Sequence, residues 1–306
     1  MTTTTSPRLR HVDCLDATGL HRMAYWEWGD PAADQVVVCV HGLTRQGRDF
    51  DRLAQTLIHR ATDAGGPRLR VVCPDVVGRG ESDWLRDPKA YVIPTYLADM
   101  VTLLARLDVR ELAWVGTSMG GLIGMLMASL QGSPVRRLVL NDVGPVIEPA
   151  ALARIAAYVG QPAVWPSVEA AAEALWAISQ GFGPHTPEDW LALTRPQLKA
   201  APAGGVMSRY DPGIALPVRA TTPELAAAGQ AMLWQAYDAI RCPTLLLRGA
   251  DSDLLSPATA QAMTQRGPQA RLVEFAGVGH APTLMAADQL DAVSAFLLAA
   301  DAPPAA

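Results

Sequence analysis

Apolar positions recur along the chain with two distinct periods. Residues 11–16 and 21–28 alternate apolar and polar side chains around Ala17-Thr18-Gly19, which predicts a β-hairpin. Residues 35–40 (QVVVCV) are continuously apolar, the mark of a strand covered on both faces. Helical spacing follows over 49–61, at Phe50, Leu53, Leu57 and Ile58. Further strands are predicted at 69–73, 111–115, 135–140, 244–247 and 270–275. Further helices are predicted at 95–107, 119–130, 257–265 and 286–299. Strand and helix in strict alternation predict an α/β fold: a doubly wound, mostly parallel sheet with helices on both faces.

The alternation breaks between residues 145 and 239. This stretch is Ala-rich and carries helix starts at Thr186-Pro187-Glu188-Asp189 and Thr222-Pro223-Glu224, each a cap residue, a proline and an acid in the first turn. Trp165, Trp176, Trp190 and Trp234 lie in it. A structureless loop of that length is uncommon. The expectation is therefore a helical cap at 145–239 inserted into a core made of 1–144 and 240–306, with disordered tails at 1–8 and 301–306.

Composition narrows the classes. The chain has 306 residues, half of them hydrophobic and 18% charged, enough apolar material for a substantial core. Net charge is −5 with no basic run, which argues against nucleic acid as a partner. No apolar stretch reaches the roughly 18 residues of a membrane span, and the first 20 residues hold no signal-type apolar segment. Four widely spaced cysteines, Cys14, Cys39, Cys73 and Cys242, read as reduced thiols of a cytoplasmic protein. The nucleotide-binding and zinc motifs G-x-x-x-x-G-K-[ST] and H-E-x-x-H do not occur, and acids do not cluster with histidines at metal-ligand spacing, so neither cofactor nor metal is expected.

The chemistry is concentrated in short motifs. Gly116-Thr117-Ser118-Met119-Gly120 joins a predicted strand to a predicted helix, the G-x-S-x-G context that presents a serine hydroxyl at a sharp turn. A serine needs a base, and His280, on the Gly-rich loop Gly277-Val278-Gly279-His280-Ala281-Pro282 after the last strand, is best placed to supply it. The base needs an acid. Asp251 and Asp253 follow one strand and Asp142 follows another, so three candidates stand. Backbone N–H groups of Leu43, in His41-Gly42-Leu43-Thr44, and of Met119 are candidates for an oxyanion hole. His41 itself reads as a structural hydrogen-bonding residue.

These segments, with Asp75-Val76-Val77-Gly78-Arg79-Gly80-Glu81-Ser82 and Arg248-Gly249-Ala250-Asp251-Ser252-Asp253-Leu254-Leu255-Ser256-Pro257, resemble the α/β-hydrolase fold superfamily, in its capped bacterial branch of serine esterases, enol-lactonases, perhydrolases and C–C hydrolases. The resemblance implies the order Ser118, Asp253, His280, because Leu254-Leu255-Ser256-Pro257 gives Asp253 the family's spacing to a helix-start proline; Asp142 is a position some relatives use. A serine at the elbow departs from dehalogenases and epoxide hydrolases, which carry aspartate there. The resemblance implies a hydrolase of a small, moderately apolar ester or lactone. Arg45 and Trp165 are candidate substrate contacts. Hydrolysis of a ring-fission diketone, with Arg45 and Arg209 as carboxylate partners, acyl transfer, and a non-enzymatic receptor are the competing readings.

Overall fold

The computed structural model describes residues 6–300. Two antiparallel strands open the chain, β1 (Arg8–Asp16) and β2 (Gly19–Gly29), with Asp16 opposite Gly19 across the turn. Arg8 lies in β1, so the expected N-terminal tail is shorter than 1–8; residues 1–5 and 301–306 of the expected tails lie outside the described residues. Then follow β3 (Gln35–Val40), α1 (Asp51–Asp63), β4 (Leu69–Pro74), α2 (Ile93–Leu107), β5 (Leu112–Thr117), α3 (Met119–Ser129) and β6 (Val135–Asn141). The interrupted region holds α4 (Pro149–Tyr158), β7 (Val164–Trp165), α5 (Val168–Ser179), α6 (Pro187–Thr194), β8 (Leu198–Ala200), β9 (Val206–Ser208), α7 (Ala215–Arg219) and α8 (Pro223–Ala239). The chain ends with β10 (Thr244–Gly249), α9 (Pro257–Met263), β11 (Arg271–Phe275) and α10 (Ala287–Leu297).

Eight strands form one sheet in the order β1-β2-β4-β3-β5-β6-β10-β11. The β1–β2 and β2–β4 pairs are antiparallel and the other five are parallel. The continuous Val and Leu runs of β3, β4 and β10 are explained by cover on both faces. One apolar layer joins Met100 and Leu103 of α2, Ile123 of α3 and Met263 of α9 to the sheet. The other joins Leu53 and Leu57 of α1 to Leu290 and Val293 of α10.

The interrupted region differs from its expected form in two ways. It is not purely helical, since β7, β9 and β8 make a small antiparallel sheet. It also ends earlier than residue 239. Helix α8 packs on α3, and its Tyr237 joins the main core. The physical reason is topological: β6 and β10 are parallel neighbours, and a parallel pair needs a crossover helix, which α8 supplies. Only residues up to about Thr222, the N-cap of α8, form the insertion proper. Both helix starts read from the sequence hold, with the Thr186 hydroxyl accepting from the Asp189 N–H and Thr222 from Leu225.

Candidate active site

Ser118 occupies the turn between β5 and α3 with φ +51° and ψ −116°, a left-handed conformation that a residue with a side chain adopts only under constraint. The constraint is close packing. A Cβ on Gly116 would lie 2.3 Å from the Gly120 carbonyl oxygen, and one on Gly120 would lie 2.0 Å from that of Val40. Only glycine lets strand and helix approach this closely. The Ser118 N–H donates to the Asn141 carbonyl (3.0 Å), which ties the elbow to β6.

His280 reaches the same edge from the loop after β11. Its Nε2 lies 3.0 Å from Ser118 Oγ. Its Nδ1 lies 2.7 Å from Oδ2 of Asp142, so Nδ1–H donates to the carboxylate and Nε2 is left to accept from the serine hydroxyl. Asp142 is fully buried and stands one residue beyond β6. Its Oδ1 accepts the Gly249 N–H (2.9 Å) and its Oδ2 also accepts the Ser252 hydroxyl (2.6 Å).

The geometry therefore corrects the expected acid. Asp253 does not touch His280; its side chain is 49% exposed and forms a two-pronged pair with Arg154 of α4, at 2.7 and 2.9 Å. Asp251 is exposed, and its N–H donates to the Val278 carbonyl. The cause lies in register. Asn141 pairs with Leu247, so the ends of β6 and β10 lie side by side, and an acid just past either strand reaches the same edge. Asp142 follows its strand directly, whereas Asp253 lies four residues past the end of β10, where the chain has already turned outward.

Leu43 lines the same cavity as Ser118, and Met119 follows the serine directly. Met119 is the first residue of α3, where N–H groups have no intrahelical acceptor. Leu43 follows Gly42, and a Cβ on Gly42 would sit 3.6 Å from the Ser118 Cβ. His41 is fully buried; its Nε2 accepts the Val76 N–H (2.9 Å) and its Nδ1–H donates to the Gly42 carbonyl (2.7 Å). Burial pushes its pKa down to about 3, so it is a neutral brace. Asp75, also buried, accepts N–H groups from Gly47, Glu81 and the Trp26 indole, and burial raises its pKa to about 6.

A cavity of about 610 Å³ opens above Ser118 and His280. Its upper wall comes from the insertion, including Ile155, Tyr158, Trp165, Leu175 and Phe182. Arg45 also lines the cavity, but both prongs of its guanidinium are held by Asp49, at 2.6 and 2.8 Å. Arg209 is bonded to Glu81 and to the Leu198 carbonyl, away from the cavity lining.

Several contributors escaped sequence reasoning. Ser252 braces Asp142, and the Asn141 amide donates to Thr117 Oγ1 (2.9 Å) and to the Pro282 carbonyl (2.8 Å), clamping two strand ends to the His280 loop. His185 of the insertion donates Nδ1–H to the Gly183 carbonyl and accepts the Thr283 hydroxyl at 2.8 Å. Ligand-type atoms of Cys14, His21 and Asp99 come within 4.8 Å of one another, although nothing in their spacing suggested it, because Asp99 arrives on α2. His21 Nε2 there lies 3.0 and 3.1 Å from the two Asp99 oxygens, a buried hydrogen bond that fastens the hairpin to α2. Among the described residues no helix is long and apolar enough to cross a membrane.

Comparison with known proteins agrees with this architecture. The profile of the alpha/beta hydrolase family matches residues 37–293. A 3-hydroxybutyrate-oligomer hydrolase from Cupriavidus necator is 50% identical over 298 residues, covering 96% of this chain and 99% of that protein. A solved structure from Rickettsia typhi superposes with a TM-score of 0.83 at 28% identity, over 96% of this chain and 99% of the other. An alpha/beta hydrolase from Novosphingobium aromaticivorans gives 0.81 at 34% identity, over 96% and 98%. The chain belongs to the alpha/beta hydrolase family and is an enzyme of the hydrolase class.

Proposed function

We propose that the enzyme is a serine esterase that cleaves short oligoesters of a 3-hydroxy acid, releasing a hydroxy acid and a shortened chain. The observation that carries the catalytic part is the continuous hydrogen-bonded series Ser118–His280–Asp142 at the floor of the cavity. The substrate class is supported by the 50% identity, over nearly the whole of both chains, to the 3-hydroxybutyrate-oligomer hydrolase. The cavity volume and its mixed apolar and polar walls suit a flexible aliphatic ester.

Ser118 Oγ attacks the ester carbonyl while His280 Nε2 takes its proton. Asp142, held by Gly249 and Ser252, fixes the ring tautomer and stabilises the imidazolium. The tetrahedral oxyanion is met by the Leu43 and Met119 N–H groups, reinforced by the dipole of α3. His280 returns the proton to the departing alkoxide, giving an alcohol and an acyl-Ser118. Water, deprotonated by His280, then attacks the acyl carbonyl; the carboxylic acid leaves and Ser118 regains its proton. One water is consumed per ester bond. The insertion between β6 and α8 acts as a lid that limits water and shapes the fit. We place the activity in the cytoplasm, on the pattern of widely spaced cysteines in the sequence.

Cleavage of a ring-fission diketone is the weaker reading: the two arginines offered for its carboxylate are paired, Arg45 with Asp49 and Arg209 with Glu81. The test is chromatography of products from 3-hydroxybutyrate dimer and trimer, beside p-nitrophenyl esters of graded length and a dienol diketone, with Ser118→Ala as control. Monomer released by wild type alone is the expected result. Turnover of the diketone without turnover of the oligomers overturns the reading.

A further inference from the structure

Arg79 is fully buried, and among the described residues no carboxylate lies within ion-pair distance of it. Arg248, also buried, answers the general rule by pairing with Glu274 at 2.7 Å. Asp75, four residues before Arg79, forms no ion pair with it; its oxygens accept from the Gly47 and Glu81 N–H groups and the Trp26 indole. Burying an unpaired cation is strongly unfavourable, so its retention needs an account. The contacts are specific. Nε donates to the Leu43 carbonyl (2.7 Å), Nη1 to the Val77 carbonyl (2.7 Å) and the Tyr96 hydroxyl (3.0 Å), and Nη2 lies 3.6 Å from Met119 Sδ. The guanidinium carbon also sits over the faces of Tyr91 and Tyr96, 5.7 and 4.9 Å from their centroids. All of these acceptors are neutral. Leu43 and Met119 both touch this one side chain.

We propose that Arg79 is a positioning residue for the oxyanion hole, holding the Leu43 turn against the start of α3 and leaving its positive charge uncompensated until the tetrahedral oxyanion forms. The charge then finds its counter-charge only in the transition state, which is the condition for raising kcat rather than tightening substrate binding. The low-dielectric surroundings keep this field from being screened. The inference rests on Leu43 and Met119 being the oxyanion donors, as assigned above.

The experiment compares wild type, Arg79→Met and Arg79→Lys. Arg79→Met keeps the volume and removes the charge; Arg79→Lys keeps the charge and loses the fork. Circular dichroism and Tm report folding, and kcat, KM and affinity for a trifluoromethyl ketone, whose serine adduct carries an oxyanion, report function. Arg79→Met is expected to lower kcat about 100-fold with KM within about threefold, and to weaken the ketone by a similar factor. Arg79→Lys is expected to recover about tenfold of that loss; if the Met variant does not fold, a tenfold drop in kcat at constant KM in the Lys variant carries the same meaning. Folded variants with kcat within threefold of wild type, or with KM raised and ketone affinity unchanged, overturn the role of Arg79 and leave the hydrolase reading standing. Wild type inert to fluorophosphonate and to every ester overturns both.

Discussion

The floor and the roof of the cavity are built on different physical terms. On the floor, Asp142 is fully buried and three hydrogen bonds fix its carboxylate, while Asn141 ties two strands to the His280 loop. Every one of these contacts joins residues far apart in sequence, and the sheet sets them all. In the roof, the insertion has a small apolar cluster of its own, Ala172, Trp190 and Leu193, and leaves Ile178 and Tyr158 partly exposed where they line the cavity. It is joined to the core by Ala151, Ile155, Val159, Ile214 and Ala215, which enter the main apolar layer, and by polar contacts such as the Tyr91 hydroxyl donating to Asp211 (2.6 Å) and the Arg154–Asp253 and Arg209–Glu81 pairs. On the proposed reading the two parts separate two properties: the floor, fixed by the sheet, sets the reaction, and the cavity-facing side chains of the roof can change fit without disturbing it.

The strongest break of that comparison is at the floor. Ser118→Ala is expected to lower kcat by about 10⁴-fold or more and to abolish fluorophosphonate labelling. Labelling that persists in the variant places the nucleophile elsewhere. Next in size is Asp142→Asn, expected to lower kcat by about 10³- to 10⁴-fold with the fold intact, because an amide cannot hold His280 in the reactive tautomer. Circular dichroism beside single-turnover kinetics checks it; activity within tenfold of wild type rejects Asp142 as the acid.

The roof supplies a smaller and different effect. Trp165→Ala is expected to shift kcat/KM between dimer and longer oligomers by about 10- to 100-fold while the pH dependence stays in place. A change that lowers all substrates equally and moves the pH profile instead contradicts the separation of roof from floor.

The same division explains what the sequence discloses. The sheet was legible because strands covered on both faces write their burial into unbroken apolar runs such as QVVVCV, and Ser118 was legible because the glycine spacing of the elbow is a local steric need. His280 followed from its Gly-rich loop after the last strand. Asp142 and Asp253 were separable only by how adjacent strand ends align and where each loop turns, which no local pattern encodes. The roof hid its small sheet because β7, β8 and β9 have two or three residues each, too short to show a period. Helix α8 continues the Ala-rich composition of the insertion, although its place in the topology belongs to the core.

Acid titration of a buried floor residue gives a further test. The folded pKa of His41, depressed to about 3 by burial, lies below the unfolded value near 6.5, so its stability contribution is present above pH 6.5 and is lost as pH falls toward 3. From pH 7 to pH 5 that loss is about 2 kcal/mol. Asp75 acts oppositely: its folded pKa is raised to about 6, so protonation below pH 6 stabilises the fold. Total stability therefore mixes the two, and the difference between wild type and His41→Gln isolates one. Urea unfolding is expected to show the variant's deficit shrinking by about 2 kcal/mol from pH 7 to pH 5. A deficit independent of pH means that His41 does not carry this term.

The smallest expected effect lies where floor and roof meet. Asp253 belongs to the core loop after β10 and Arg154 to α4 of the insertion, and both line the cavity. Their side chains are 49% and 44% exposed, so water screens the pair, and such pairs contribute about 1 kcal/mol or less. Asp253→Asn keeps one acceptor for Arg154 and removes the charge. It leaves the Ser118–His280–Asp142 series untouched, since Asp253 contacts none of the three. The expected result is kcat within about threefold of wild type, a KM change of similar size, and a Tm shift of about 2–4 °C or less. Salt supplies a second reading: the gap between wild type and variant should narrow as ionic strength rises, because an exposed pair is weakened by screening. Measured beside Asp142→Asn on the same substrates, this variant decides between two of the three acids that the sequence offers. A loss in Asp253→Asn comparable to that in Asp142→Asn means that the insertion and the catalytic edge are coupled through this pair, and the separation of roof from floor fails there.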